Sequence, residues 1–356
     1  VSYTVGQSKV RHWRSCRQAY DFKYEQQLIR RRTKRPFVFG RLVHRMIEAE
    51  AQEEDPLAVL DQIELDDLEI FTAEKDMYGE IIEDIRTIMR EYFEYHADGL
   101  RFIPVEDETG ELRFAEHEFA IPLEDLVDRR KVPPRDVEGI VFKGQVDGIG
   151  KTPNKLRWLV ENKTFDNLPN DDERWRNLQS VVYIRAILYL GWMKRIDGVC
   201  WNYIRSKPPT VPKVLKSGRL SMKKKIVTLP SVVRAAVAAA KLRIQDYDEL
   251  MKRAVQTRAD YFQRIYTPVN ETISSKIFGG FVESAIEMRD SAGKKRDKNI
   301  GRHCTWCDYE PLCRAELTGG DVDFVREGEY KVEDPEGYHR TKRRSPQLKV
   351  VRGGKK

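Results

Sequence analysis

Two alternating segments joined by a turn constrain this chain more than anything else in its sequence. Residues 140–149 and 156–164 alternate apolar with polar side chains, and Lys151-Thr152-Pro153-Asn154 between them is turn chemistry. Together they predict an antiparallel hairpin inside a small sheet. Asp147 falls near the end of the first strand, and Glu161 and Lys163 lie two apart on the second, which puts both on one face. Two carboxylates converging from paired strands match the oxygen-ligand preference of Mg²⁺ or Mn²⁺. A cation held there lowers the pKa of a water and polarises a phosphoryl oxygen, which is the chemistry of phosphodiester hydrolysis. Lys163 then orients that water or offsets charge in the transition state. Charged residues also alternate on the wet face of many ordinary strands, so the weight of the hairpin depends on what accompanies it.

The remaining periodicity predicts an α/β chain. A helix is expected over about 8–28, another beginning near Gly40, an acidic helical block over about 57–95 and a strand at 112–121. A helix at about 174–195, a strand at 199–204 and a long helix over about 231–266 follow. With 356 residues, 40% of them hydrophobic, the chain is long enough to bury a large core. It contains no internal repeat.

Two helical pairs add to the hairpin. Gln179 and Tyr183 are four apart and share a helix face, as do His44 and Glu48. An imidazole at His44 is a further candidate metal ligand. The bland readings are a surface and core pair for Gln179 and Tyr183, and a satisfied buried histidine for His44.

Five cysteines divide into four and one. Cys304-x₂-Cys307-x₅-Cys313 lies near the C-terminal end, Cys16 near the N-terminal end, and Cys200 stands alone in an apolar strand, where packing explains it. In a reducing compartment such a set points to metal before disulfides. Three close cysteines and one remote one suit an iron–sulfur cluster better than zinc, which usually takes two local pairs; His12 and His303 keep the zinc alternative open.

Net charge is +7, but eight Lys and Arg with no acid fall between Tyr338 and Lys356, so the rest of the chain is close to neutral. Residues 331–356 therefore read as a basic, disordered tail. A second basic stretch, Arg205 to Pro230, holds eight Lys and Arg, four prolines and no carboxylate. It reads as a loop presented to an anion, with Arg205 at its start. Trp175, Trp201, Tyr203 and Trp306 are candidates for stacking on bases.

Other classes fit less well. Gly148-Ile149-Gly150-Lys151-Thr152 looks like the end of a phosphate-binding loop, yet Gln145 stands where that motif needs glycine and Pro153 interrupts the helix that should follow. No run of eighteen apolar residues spans a bilayer, and Val1-Ser2-Tyr3-Thr4 lacks the character of a signal peptide, which predicts a cytoplasmic protein.

In order, Cys16, Gly40-x-x-x-His44, an acidic strand with Glu116 and Glu118, Gly144-Gln145-Val146-Asp147, Glu161-Asn162-Lys163, Gln179-x-x-x-Tyr183 and the cysteine trio resemble the RecB-type nucleases of the PD-(D/E)XK superfamily. That group includes AddB-like and CRISPR-associated exonucleases with a [4Fe–4S] cluster. The resemblance implies one nuclease domain over 1–330, with a restriction-endonuclease-like mixed sheet flanked by helices, a helical insertion at about 50–100 and a basic loop at about 205–230. It implies that His44, Asp147, Glu161 and the backbone carbonyl of Asn162 bind Mg²⁺ or Mn²⁺, that Lys163 is the catalytic lysine, and that Gln179 and Tyr183 contact the substrate strand. Cys16, Cys304, Cys307 and Cys313 would hold the cluster, joining the N- and C-terminal segments. The implied activity is metal-dependent cleavage of single-stranded or unwound DNA ends inside a prokaryotic or phage-infected cell. Helicase, recombinase or CRISPR adaptation proteins would be partners, with no membrane involved. The competing reading is a non-catalytic DNA-binding or assembly subunit that kept the fold and lost the reaction, although Asp147, Glu161, Lys163 and Gln179 are all present.

Overall fold

A computed structural model describes residues 2–106, 109–294 and 296–333. Its centre is a seven-stranded mixed sheet made of β1 (Tyr3–Val5), β2 (Arg101–Phe102), β3 (Ala115–Pro122), β4 (Ile140–Lys151), β5 (Arg157–Phe165), β6 (Gly198–Arg205) and β7 (Phe262–Pro268). The long strand β4 pairs with β1 in parallel and with β2, β3 and β5 antiparallel. Beyond β5 lie β6, parallel to it, and β7, antiparallel to β6. The predicted hairpin is β4–β5, closed where Thr152 donates its N–H to the Leu156 carbonyl at 3.1 Å.

Helices cover both faces, as the two-sided apolar composition of the central strands requires. They include α1 (Gln7–Ser15), α2 (Arg35–Ala51), α3 (Ile81–Tyr95), α4 (Leu178–Tyr189), α5 (Pro230–Ala239), α6 (Asp248–Tyr261) and α7 (Glu271–Asp290), while α8 (Glu310–Thr318) packs with Leu28 and Tyr330. Leu159, Val199, Trp201 and Tyr203 from the sheet pack with Val10 and Trp13 of α1, Val182 of α4 and Phe281 of α7. Ile204 and Phe262, facing the other way, pack with Phe39 and Val43 of α2 and Ile85 and Met89 of α3. Each such side chain, fully buried, stabilises the fold by roughly 1.5–3 kcal/mol. Among the described residues no helix is long and apolar enough to cross a membrane.

Several expected boundaries shift. The helix expected over 8–28 breaks at Cys16, which is extended (φ −161°, ψ 117°) between α1 and a short helix Arg17–Tyr20. The chain then reaches a strand, Leu28–Arg30, paired antiparallel with Tyr330–Val332. Ladder bonds thus tie the two ends of the domain, and ordered structure runs past the tail boundary expected at 331. Residues 334–356, the rest of that basic tail, lie outside the described residues. The helix expected to begin near Gly40 begins at Arg35 and passes through Gly40.

The long helix expected over 231–266 is instead α5, α6 and most of β7. Lys241 takes a left-handed φ of 53° after α5, which ends that helix. The aromatic and β-branched run Phe262, Ile265, Tyr266, Thr267 joins β6 because an edge is there to receive it. The acidic block is four helices between Pro56 and Tyr95, of which α3 contributes most to the core.

Candidate active site

The hairpin ladder stops at Gly148↔Val160, and the site begins where the two strands part. There the Asn162 N–H donates to Asp147 Oδ2 at 2.7 Å, so a side chain takes over from the ladder. The Asn162 carbonyl accepts from His44 Nε2 at 3.1 Å. His44 Nδ1 donates to Glu116 Oε1 at 3.2 Å and lies 3.9 Å from Asp147 Oδ1. Among the described residues, His44, Glu116 and Asp147 are the one group of three or more candidate metal-binding side chains whose ligand atoms all lie within 4.8 Å of one another.

Local sequence explains how His44 arrives. Gly40, one turn earlier on α2, crosses β5 so closely that a Cβ there would stand 3.3 Å from Thr164 Oγ1. A larger residue would hold the helix, and His44 with it, away from the strand. Glu116 arrives by strain: its φ is +58° inside β3, a conformation that costs a non-glycine residue ~1–3 kcal/mol. The neighbouring pairs Ala115↔Gly148 and His117↔Val146 place it beside Asp147.

Glu161 and Lys163 stand alongside. Lys163 Nζ donates to Glu161 Oε2 at 2.8 Å and to Gln179 Oε1, from α4, at 3.3 Å. Glu161 is fully buried, and its other oxygen, Oε1, has no hydrogen-bond partner. Burial pushes the Glu161 carboxyl up to about 7 despite the nearby Lys163 charge, and burial likewise raises Glu116 to about 6 against its bond to His44. Burial opposes charge on His44, but Asp147 and Glu116 outweigh it and lift the imidazole to about 9, so both ring nitrogens donate at neutral pH. Lys163 is raised too: desolvation is overcome by Glu161 and Asp147.

This donor set fits a divalent cation. Three carboxylates against one imidazolium and one ammonium leave net negative charge in a buried space, and the orphaned Glu161 oxygen lacks a hydrogen-bond partner. The donors are hard oxygens and an imidazole, the kind Mg²⁺ and Mn²⁺ accept.

The structure treats the other expected residues unevenly. Gln179 holds Lys163. Tyr183 is buried with its hydroxyl against the Gln145 backbone, and its ring lies where a Cβ on Gly144 would meet it at 2.7 Å, so its position is a supporting one beneath β4. The Arg205 guanidinium lies 5.5 Å from the centre of the Tyr261 ring. Trp201 and Tyr203 belong to the core, leaving Trp175 and Trp306 exposed among the aromatics proposed to stack. Glu48 stays outside the site, bonded to Arg45 and Gln52. Glu116 was absent from the expected ligand set; nothing in the alternation of β3 separates it from Glu118, and only its backbone turn and proximity to Asp147 do.

The cysteines gather at the junction of the chain ends. Cys16, Cys307 and Cys313 pack with Phe22, Leu28, Tyr309, Leu312 and Tyr330, and Cys307 also feels the charge of Cys304. Backbone N–H groups of Gly301 and Tyr309 point at Cys304 Sγ and Cys307 Sγ at 3.5 and 3.4 Å. All five cysteines are free thiols, and Cys200 is buried in β6, its thiol pushed up to about 11 by burial.

A mixed sheet with acids and a lysine converging where two of its strands part defines a class, the metal-dependent phosphodiester hydrolases of restriction-endonuclease-like fold. A family model for the PD-(D/E)XK nuclease superfamily matches residues 4–314, and the chain belongs to that superfamily. A search of curated proteins finds no match.

Proposed function

We propose that this protein is a metal-dependent deoxyribonuclease acting at single-stranded or unwound DNA ends. The observation that carries this reading is the joint placement of His44, Glu116 and Asp147 beside the Glu161–Lys163 pair. His44, Glu116 and Asp147, with the free oxygen of Glu161 and the Asn162 carbonyl, would hold Mg²⁺ or Mn²⁺. Such a cation supplies charge against the phosphoryl oxygens and acidifies a water. Lys163, fixed by Glu161 and Gln179, presents its ammonium to the scissile phosphate and stabilises the charge that develops there. Gln179 orients Lys163 from the substrate side of α4.

Phosphate contacts are assigned to the loop after Arg205, which is tethered beside the site where the Ser206 N–H donates to the Phe165 carbonyl at 2.8 Å. Affinity for DNA should fall as salt rises. The biological setting is DNA recombination, repair, phage DNA processing or CRISPR adaptation, with a helicase, recombinase or adaptation protein supplying the unwound end.

Cys16, Cys304, Cys307 and Cys313 are proposed to carry a [4Fe–4S] cluster that staples the chain ends. Support comes from the common packing of Cys16, Cys307 and Cys313 and from the backbone N–H groups aimed at Cys304 Sγ and Cys307 Sγ. Anaerobically purified protein should be brown and contain iron; a colourless zinc-loaded preparation would remove the cluster from the proposal.

The nuclease reading is tested by degradation of end-labelled single-stranded and duplex DNA with Mn²⁺ or Mg²⁺, comparing the intact protein with Glu161→Ala. Metal-dependent cutting that the substitution abolishes is expected. No cutting by intact, metal-supplied protein would overturn it.

A further inference from the structure

Behind the site, on the face of β5 opposite Glu161 and Lys163, a polar row crosses three strands in register. Asn162 of β5 is paired with Asn202 of β6, and Asn202 with Arg264 of β7. Asn202 Nδ2 donates to Asn162 Oδ1 at 2.8 Å and to the Tyr92 hydroxyl at 2.8 Å. Arg264 Nη2 donates to the same Tyr92 oxygen at 3.1 Å, and its Nε reaches Asn202 Oδ1 at 3.5 Å. Asn162 and Asn202 are 2% exposed and Tyr92 is 3% exposed.

The row lies in apolar surroundings, among Ile204, Phe262 and the buried face of α3. Polar groups there are costly unless each finds a partner, and an aliphatic row would pack the same space without that cost. The feature that separates Asn162 from any other residue on β5 is its backbone, because its N–H holds Asp147 and its carbonyl holds His44.

We propose that Asn202 and Tyr92, backed by Arg264, are positioning residues that fix the Asn162 peptide and through it the pose of Asp147 and His44. The inference rests on the metal-site reading above. Its logic is that of an outer shell around a metal site: the groups that orient the ligands set affinity although they never touch the ion. It also gives the helical insertion a task, since Tyr92 on α3 is the only member of the row that comes from outside the sheet.

The test is direct Mn²⁺ binding, read by the loss of the free-ion paramagnetic resonance signal, on five variants alongside the intact protein. Asp147→Ala should abolish binding at the site. Tyr92→Phe removes one hydroxyl and keeps the ring, and Asn202→Asp keeps the size but removes the donor to Asn162; each should weaken Mn²⁺ binding about ten-fold. In an Asn162→Ala background, Tyr92→Phe should add nothing further, because the relay then has no end to act on. Melting temperature, read in parallel without metal, separates folding from positioning. Folded Tyr92→Phe and Asn202→Asp proteins that bind Mn²⁺ as tightly as the intact protein would overturn the relay and leave the metal site standing, as would a Tyr92→Phe effect that persists in the Asn162→Ala background. Failure of the intact protein to bind Mn²⁺, or binding that survives Asp147→Ala, would remove both readings together.

Discussion

Lys163 Nζ lies 2.8 Å from Glu161 Oε2, while the other oxygen of the same buried carboxylate has no partner. In the proposed function one residue does two jobs: half of its carboxylate fixes the lysine, and the other half would hold the cation. Substitution of either member should separate the two functions.

Lys163→Ala should reduce the rate of DNA cleavage at saturating metal by ~100-fold or more, the loss typical of one transition-state donor, with Mn²⁺ affinity little changed. Gln179→Ala should cost less, because the Glu161 contact remains. Cleavage rates measured across a Mn²⁺ titration check both.

Glu116→Gln should weaken Mn²⁺ binding by about ten-fold or more, whereas Glu118→Gln should not. The contrast follows from geometry, since Glu116 lies with His44 and Asp147 while Glu118 pairs along the strand with Gln145. Equal effects on Mn²⁺ affinity would show that Glu116 is no ligand.

Metal binding should release protons, and the metal-free protein should lose stability as pH rises. The His44 pKa is raised to about 9, so its contribution is fully present below the unfolded value of about 6.5 and is lost as pH climbs through 9. Burial lifts Glu161 to about 7, so its ionisation becomes a penalty as pH climbs from the unfolded value of about 4.5 through 7. Both signs agree. The melting temperature of chelator-treated protein should fall between about pH 5 and pH 9, and Mn²⁺ should raise it more at the alkaline end. His44→Ala should flatten the upper part of that slope.

Gly40→Val should both destabilise the protein, by ~1–3 kcal/mol, and slow cleavage, because the added methyls force α2 from β5 and carry His44 with it. Gly40→Ala is the informative companion. Its gain in helix propensity, about 1 kcal/mol, is set against a Cβ contact of 3.3 Å with Thr164 Oγ1. Its melting temperature should stay near that of the intact protein while Mn²⁺ affinity falls.

The hairpin, the acidic and lysine residues on it, the strand at 199–204 and the helix carrying Gln179 are legible because each is a local pattern: period-two alternation, turn residues, a four-residue spacing. The order of these elements also made the family legible. Two things were not. β7 reads as a continuation of a helix, since its aromatic and β-branched residues become a strand only when β6 offers an edge. The break at Cys16 has no proline or glycine to announce it.

The sequence by itself determined which residues could do chemistry, because a carboxylate, an imidazole or a thiolate is fixed by residue type. Only the tertiary structure decided which of them act together. Glu116 joins His44 and Asp147 because β3 twists to a positive φ beside β4, and Glu48 does not, although it lies four residues from His44. The polar row behind the site is beyond any local pattern, since Tyr92, Asn162, Asn202 and Arg264 lie on four elements and meet only through sheet register and helix packing. A site of this kind is a matter of distances across the chain, and those are set when the two apolar faces of the sheet are buried together.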